Sequence, residues 1–201
     1  MSPELFDCDL LVVDYTKYHQ DHPEEELPSE GVHFLNVPDI RLGSFCVRNP
    51  KPITIEAINL EKTHSLTKKE DGSTVKQCEC ICKAHREDGE KRWVLLLELK
   101  YCSEKNIPDN MLNAMGKFEK YVDFLMGKHY FDDAPYNIYV CASHPEHEVT
   151  ESFGSFLINQ DRILTLSKKG VRLLYTNAVK AISEERLIKV DTPEKYKFIV
   201  Q

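Results

Sequence analysis

The chain of 201 residues is long enough to bury one ordinary core, and its 41% hydrophobic and 29% charged residues are an ordinary globular composition, so one soluble domain is expected. A formal net charge of −7 argues against a general nucleic-acid coat, which needs an excess of Lys and Arg, but leaves room for a local basic groove. Seven cysteines, an odd number in a chain too large to need staples, read as reduced thiols packed as small hydrophobes.

The N-terminal stretch "MSPELFDCDLLVV" places acids where a secretory leader carries a basic segment followed by an apolar one, so a cytoplasmic location is expected. The apolar run at 93–97 falls far short of the roughly 20 residues that a membrane-spanning helix needs, so no membrane association is expected. Pro23, Pro28, Pro38, Pro50 and Pro52, with the acidic run at 24–26, predict that residues 1–52 form an N-terminal arm packed on the core. That arm is expected to be mostly irregular, with a short strand near 32–37. Residues 53–201 are expected to form the α/β core of what is overall a single domain.

Three strand-like segments open that core: "ITIEAINLEKTHSL" (53–66), "TVKQCECICKAH" (74–85) and "RWVLLLELKYC" (92–102). The breaks between them, "KKEDGS" and "REDGEK", both contain Asp-Gly, a strong hairpin signal, and predict a three-stranded antiparallel meander. Next, Met111, Met115, Phe118, Val122 and Leu125 recur at helical spacing, with Asp109 placed to cap the start. A strand (136–143), a helical stretch around 152–169 ending at Gly170, and a further strand (171–179) follow. Strands alternating with helices imply crossovers and a partly parallel, hence mixed, sheet.

With Asp88-Gly89 at the centre of the turn, one hairpin face pairs Ala84 with Trp93, Cys82 with Leu95, Cys80 with Leu97 and Cys78 with Leu99. The other face pairs Lys83 with Val94, Ile81 with Leu96, Glu79 with Glu98 and Gln77 with Lys100. Glu79 and Glu98 would then stand with β-carbons about 5 Å apart, an unfavourable pairing unless a cation lies between them. Mg²⁺ takes one or two carboxylates and fills its remaining positions with water and phosphate oxygens, so this pattern suits phosphoryl transfer, with Lys100 beside it to orient water or steady phosphate charge. The competing structural reading is a Glu98–Lys100 ion pair at a sheet edge with Glu79 facing solvent.

The order of elements around Glu98-Leu99-Lys100 resembles the PD-(D/E)XK nuclease superfamily, the restriction-endonuclease-like fold, over roughly residues 53–180. In that superfamily the last meander strand carries Asp/Glu-X-Lys, and an acid on the neighbouring strand completes the metal site. Glu79 matches that acid best, although an aspartate, often after a proline, is usual there. An earlier acid common in many branches is matched by Glu56 or Glu61. Some branches carry Gln-X-X-X-Tyr on the next helix; here Tyr121 is preceded by Lys117, so that branch is not indicated. The resemblance implies a nuclease dependent on Mg²⁺ or Mn²⁺, with Glu98, Lys100 and Glu79 catalytic and Glu79, Glu98 and Glu56 as metal ligands. It also implies nucleic acid as substrate, DNA ahead of RNA. Lys117, Lys120 and Lys128 lie off the apolar stripe of the helix, where they serve either a phosphate backbone or simply a solvated face. The alternative from the same residues is a catalytically inactive nuclease-like scaffold that binds protein or nucleic acid, and a homo-oligomer or protein partner stays open.

Other groupings point less far. Cys78, Cys80 and Cys82 alternate along a strand and cannot converge on zinc, so core packing is expected. "HQDH" (19–22) and "HPEHE" (144–148) gather ligand-type residues in loops, where they serve solubility as readily as metal binding.

Overall fold

Apolar segments separated by Asp-Gly sequences do build the central strands. The structure is a computed structural model that describes residues 3–24, 26, 30–37, 43–87, 89–147 and 160–190. Strands β5 (Ile55–Asn59), β6 (Cys80–Ala84) and β7 (Arg92–Leu99) form the antiparallel meander, and β6 and β7 pair as Cys80 with Leu97, Ile81 with Leu96, Cys82 with Leu95 and Lys83 with Val94. Asp88 lies outside the described residues, but this ladder is the register expected from a turn at that position. The other Asp-Gly turn is smaller in effect: it closes a single bridge between Lys68 and Thr74, and β5 gives way to short 3-10 turns at Leu60–Lys62 and His64–Leu66.

β7 is buried along its whole length because it has neighbours on every side. β6 pairs with it antiparallel, and β8 (Tyr136–Ser143) pairs with it parallel. β9 (Val171–Tyr175) continues the parallel part, and β1 (Glu4–Phe6) closes the other edge on β5. The fold is α/β, with a mixed sheet in which the meander is followed by helix, strand, helix and strand.

Helix α2 (Ile107–Gly127) covers one face of this sheet with Met111, Ala114, Met115, Phe118, Tyr121, Val122 and Leu125, all buried. It starts two residues before Asp109, which lies in the first turn and does not cap it. Pro108 is tolerated there because the N–H it lacks has no helical partner at that position. Helix α3 (Gln160–Lys168) buries Leu166 against the same side; the rest of the expected 152–169 stretch before it lies outside the described residues.

The largest departure from the sequence reading is a second sheet. Strands β2 (Leu10–Asp14), β3 (Val32–Leu35), β4 (Phe45–Arg48), β10 (Ala178–Ser183) and β11 (Arg186–Lys189) stand in the order β11-β10-β4-β2-β3. Val12, Phe45, Val47, Val179 and Ala181 pack with Cys80, Cys82, Trp93, Leu95 and Leu97 in one core cluster, giving three layers: sheet, sheet, helices. The N-terminal 52 residues, expected to be mostly irregular, thus contain four strands and helix α1 (Tyr15–Asp21), and the expected 171–179 strand breaks at Thr176-Asn177 into two strands of different sheets. These strands are short, and prolines crowd the N-terminal ones, which hides them from a pattern search.

One thiol also differs. Cys80 and Cys82 face the second sheet, but Cys78 belongs to the helix-side cluster with Ile81 and Phe118. Strict alternation breaks because the chain bends at Glu79, whose N–H donates to the Leu97 carbonyl at 3.0 Å while its own carbonyl accepts from Leu60 N at 3.1 Å. Among the described residues no helix is long and apolar enough to cross a membrane.

Candidate functional site

Along β7 the odd-numbered apolar residues face the second sheet, which leaves Val94, Leu96 and then Glu98 facing α2. Glu98 is completely buried. An isolated carboxylate there would be prohibitively desolvated, and cations supply the compensation. Lys100 Nζ, two residues on along the same face, and Lys117 Nζ, off the apolar stripe of α2, each stand 2.5 Å from Glu98 Oε1. Lys17 Nζ approaches that oxygen to 3.8 Å. Glu98 Oε2 has no hydrogen-bond partner among the described residues.

Lys17 comes from a part of the chain that sequence reasoning left out. Asp14 ends β2 and caps α1, its Oδ1 accepting from Lys17 N at 3.0 Å. The signal was present as an apolar strand, an Asp and a helix start in "LLVVDYTK". Tyr101, immediately after Lys100, secures this junction: its hydroxyl accepts from Asp14 N at 3.4 Å and donates to Gly43 O at 3.2 Å, and its ring meets Tyr18 edge-on. The Lys17 ammonium thereby reaches the end of β7, in close contact with Glu79 Oε1, 3.2 Å from the Leu99 carbonyl and 3.8 Å from Asp14 Oδ2. Glu79 Oε2 accepts from Leu99 N at 2.8 Å, so a carboxylate takes the place that a backbone carbonyl would fill had the β6–β7 ladder continued.

The two carboxylates expected to be neighbours therefore meet, but through Lys17 rather than across a regular strand pair. Burial alone would raise the Glu98 pKa; Lys17, Lys100 and Lys117 together overcome it and hold the carboxyl below its usual range. Burial lowers the Lys17 pKa to about 8, helped by the like charges of Lys100 and Lys117 and opposed by Glu98 and Asp14.

Of the residues singled out in the sequence, Glu79, Glu98, Lys100 and Lys117 converge. Glu56 does not: it pairs across the strands with Lys83 at the far end of β6, its carboxylate 3.3 Å from Lys83 Nζ and 2.6 Å from His85 Nδ1. Glu61 lies exposed on the 3-10 turn after β5. Lys120 is exposed, and Lys128 sits over the Phe124 ring, 5.8 Å from its centroid. "HQDH", expected in a loop, instead ends helix α1 with His22 as its C-cap, and His22 Nε2 lies 2.7 Å from Glu146 Oε1 of the other grouping.

His144 adds a residue whose role the sequence did not show. It follows β8, is buried, and neither ring nitrogen has a hydrogen-bond partner among the described residues. Its backbone N–H donates to Asn177 Oδ1 at 3.0 Å and its ring meets Tyr175 edge-on at 5.5 Å. Burial first, then His147 and Lys100, lower its pKa to about 4. The cluster thus lies at the carboxyl ends of parallel β7 and β8, the end of an α/β sheet at which ligands bind.

As donors, Glu79, Glu98 and the Leu99 carbonyl have the hard-oxygen chemistry that suits Mg²⁺ or Mn²⁺. Among the described residues, however, no three Asp, Glu, His or Cys side chains are gathered as a ready metal cage. No protein-family model, curated protein or solved structure matches this chain.

Proposed function

We propose that the protein is a divalent-metal-dependent nuclease of the PD-(D/E)XK type, acting on nucleic acid, DNA ahead of RNA, in the cytoplasm. The observation that carries this reading is the meeting of Glu79, Glu98 and Lys100 at the end of β7, beside the Leu99 carbonyl. Seven free thiols suit the reducing compartment.

Glu79 and Glu98 would hold Mg²⁺ or Mn²⁺, which would offset phosphate charge and acidify a water. Glu98 is fixed by burial and Glu79 by the Leu99 N–H, so both are preorganised. Lys100 and Lys117 carry ammonium groups on the helix side of the cluster, where they would bind non-bridging phosphate oxygens and the charge that develops on them.

The experiment is cleavage of a mixed DNA and RNA panel with either metal. Lys100→Ala and Glu98→Gln are each expected to lower turnover on the order of a hundredfold or more, and Glu79→Gln likewise, with melting curves showing a retained fold. A specific observation favours the second reading, an inactive scaffold: three of the four oxygens of the two carboxylates already have partners among the described residues. Wild-type protein that cuts nothing and melts at the same temperature with and without metal decides for the scaffold.

A further inference from the structure

We infer that Lys17 occupies the cation position of this site and acts as an internal competitor that a divalent metal must displace. The inference rests on the metal-site reading above and concerns how that site is filled.

The Lys17 ammonium touches Glu79 Oε1, lies 3.2 Å from the Leu99 carbonyl, and stands 3.8 Å from both Glu98 Oε1 and Asp14 Oδ2. Four oxygens from four residues lie around one charged nitrogen, those of Glu79 and Leu99 within hydrogen-bond reach and those of Glu98 and Asp14 at ion-pair distance, a hard-oxygen set that a divalent cation would satisfy by coordination. Its charge is held in a cluster where Asp14, Glu79 and Glu98 face Lys17, Lys100 and Lys117. Replacing Lys17 by a divalent cation would change that set from neutral to singly positive, a charge suited to an incoming phosphodiester.

Two further features fit displacement. Glu98 Oε2 is buried with no hydrogen-bond partner among the described residues, leaving a carboxylate oxygen for a ligand that Lys17 does not use. The Lys17 side chain is 27% exposed, whereas Glu79 and Glu98 are 5% and 0% exposed, so the lysine has a route to solvent and the carboxylates do not. Its backbone is pinned by Asp14, so the side chain alone would swing.

The test is Mn²⁺ titration by calorimetry and melting, comparing wild type with Lys17→Met, Lys17→Gln and, as a control for lost surface charge, Lys120→Met. Lys17→Met and Lys17→Gln are expected to tighten Mn²⁺ binding about tenfold or more, the return on releasing charge-assisted hydrogen bonds. Lys120→Met should match wild type, and adding Glu98→Gln should cancel the gain. Equal Mn²⁺ affinity in wild type and both Lys17 variants, still sensitive to Glu98→Gln, overturns the competitor role and leaves the metal site standing. Absence of Mn²⁺ binding in all of them overturns the metal reading and the competitor with it. If the Lys17 variants are unfolded in metal-free buffer, folding restored by Mn²⁺ supports displacement, and failure of Mn²⁺ to restore it overturns the idea.

Discussion

His144 shows how a single buried side chain ties stability to pH. Its folded pKa is about 4 against an ordinary 6.5, because burial penalises the imidazolium and His147 and Lys100 repel it. A depressed base is neutral in the fold, so below 6.5 the unfolded chain takes up a proton that the native protein resists, and stability falls as pH drops from 6.5 towards 4. His144→Phe keeps a ring against Tyr175 and removes two unpartnered nitrogens. Denaturant melts should show the variant losing much of the decline between pH 6.5 and 4 while matching or exceeding wild type at pH 7. Glu98 acts lower: its carboxyl is held below the ordinary 4.5, so its contribution is present above that pH and fades as pH falls further. An unchanged slope in His144→Phe between 6.5 and 4 would show that the buried ring does not govern it.

Elements meet closely where the second sheet reaches the end of the first. Gly43, just before β4, leaves no room for a side chain: a β-carbon there would lie 2.4 Å from the Pro145 carbonyl oxygen and 2.6 Å from its carbon. Both are backbone atoms, so the loop after β8 must shift to admit even a methyl group. Gly43→Ala should therefore cost on the order of 1–3 kcal/mol, read as a lower melting temperature, whereas Gly127→Ala, with no described atom within 4 Å of its β-carbon, should lose nothing. Equal melting of the two variants would contradict this packing. The same junction carries the Tyr101 hydroxyl bond to Gly43, so the shift would also loosen the start of α1 and Lys17. Helix α2 was readable because its stripe repeats for many turns, while α1 was not: Tyr15 and Tyr18 are the residues it buries.

For the molecule as a whole, the first 52 residues are structural. They supply β1 to one sheet, three of the five strands of the other, and Asp14 and Lys17 to the charged cluster. A chain starting at residue 53 would expose Trp93, Leu95 and Leu97, now buried under the second sheet, and should lack a cooperative thermal transition by circular dichroism; a sharp melt near that of the full chain would refute this. The amino-acid sequence by itself determined the meander and its register from Cys80–Leu97 to Lys83–Val94, the long helix, the parallel strand at Tyr136–Ser143, and the convergence of Glu79, Glu98 and Lys100 on one end of β7. These follow from turns and periodicities that act between near neighbours in the chain. Only the tertiary structure decided that strands from both ends of the chain form a second sheet, that Glu56 turns to Lys83 and His85, and that the charge between the two carboxylates is Lys17. The reason is physical: pairing of distant strands and the choice of an ion partner depend on which surfaces burial brings together, and no local periodicity encodes the distance between residue 17 and residue 98.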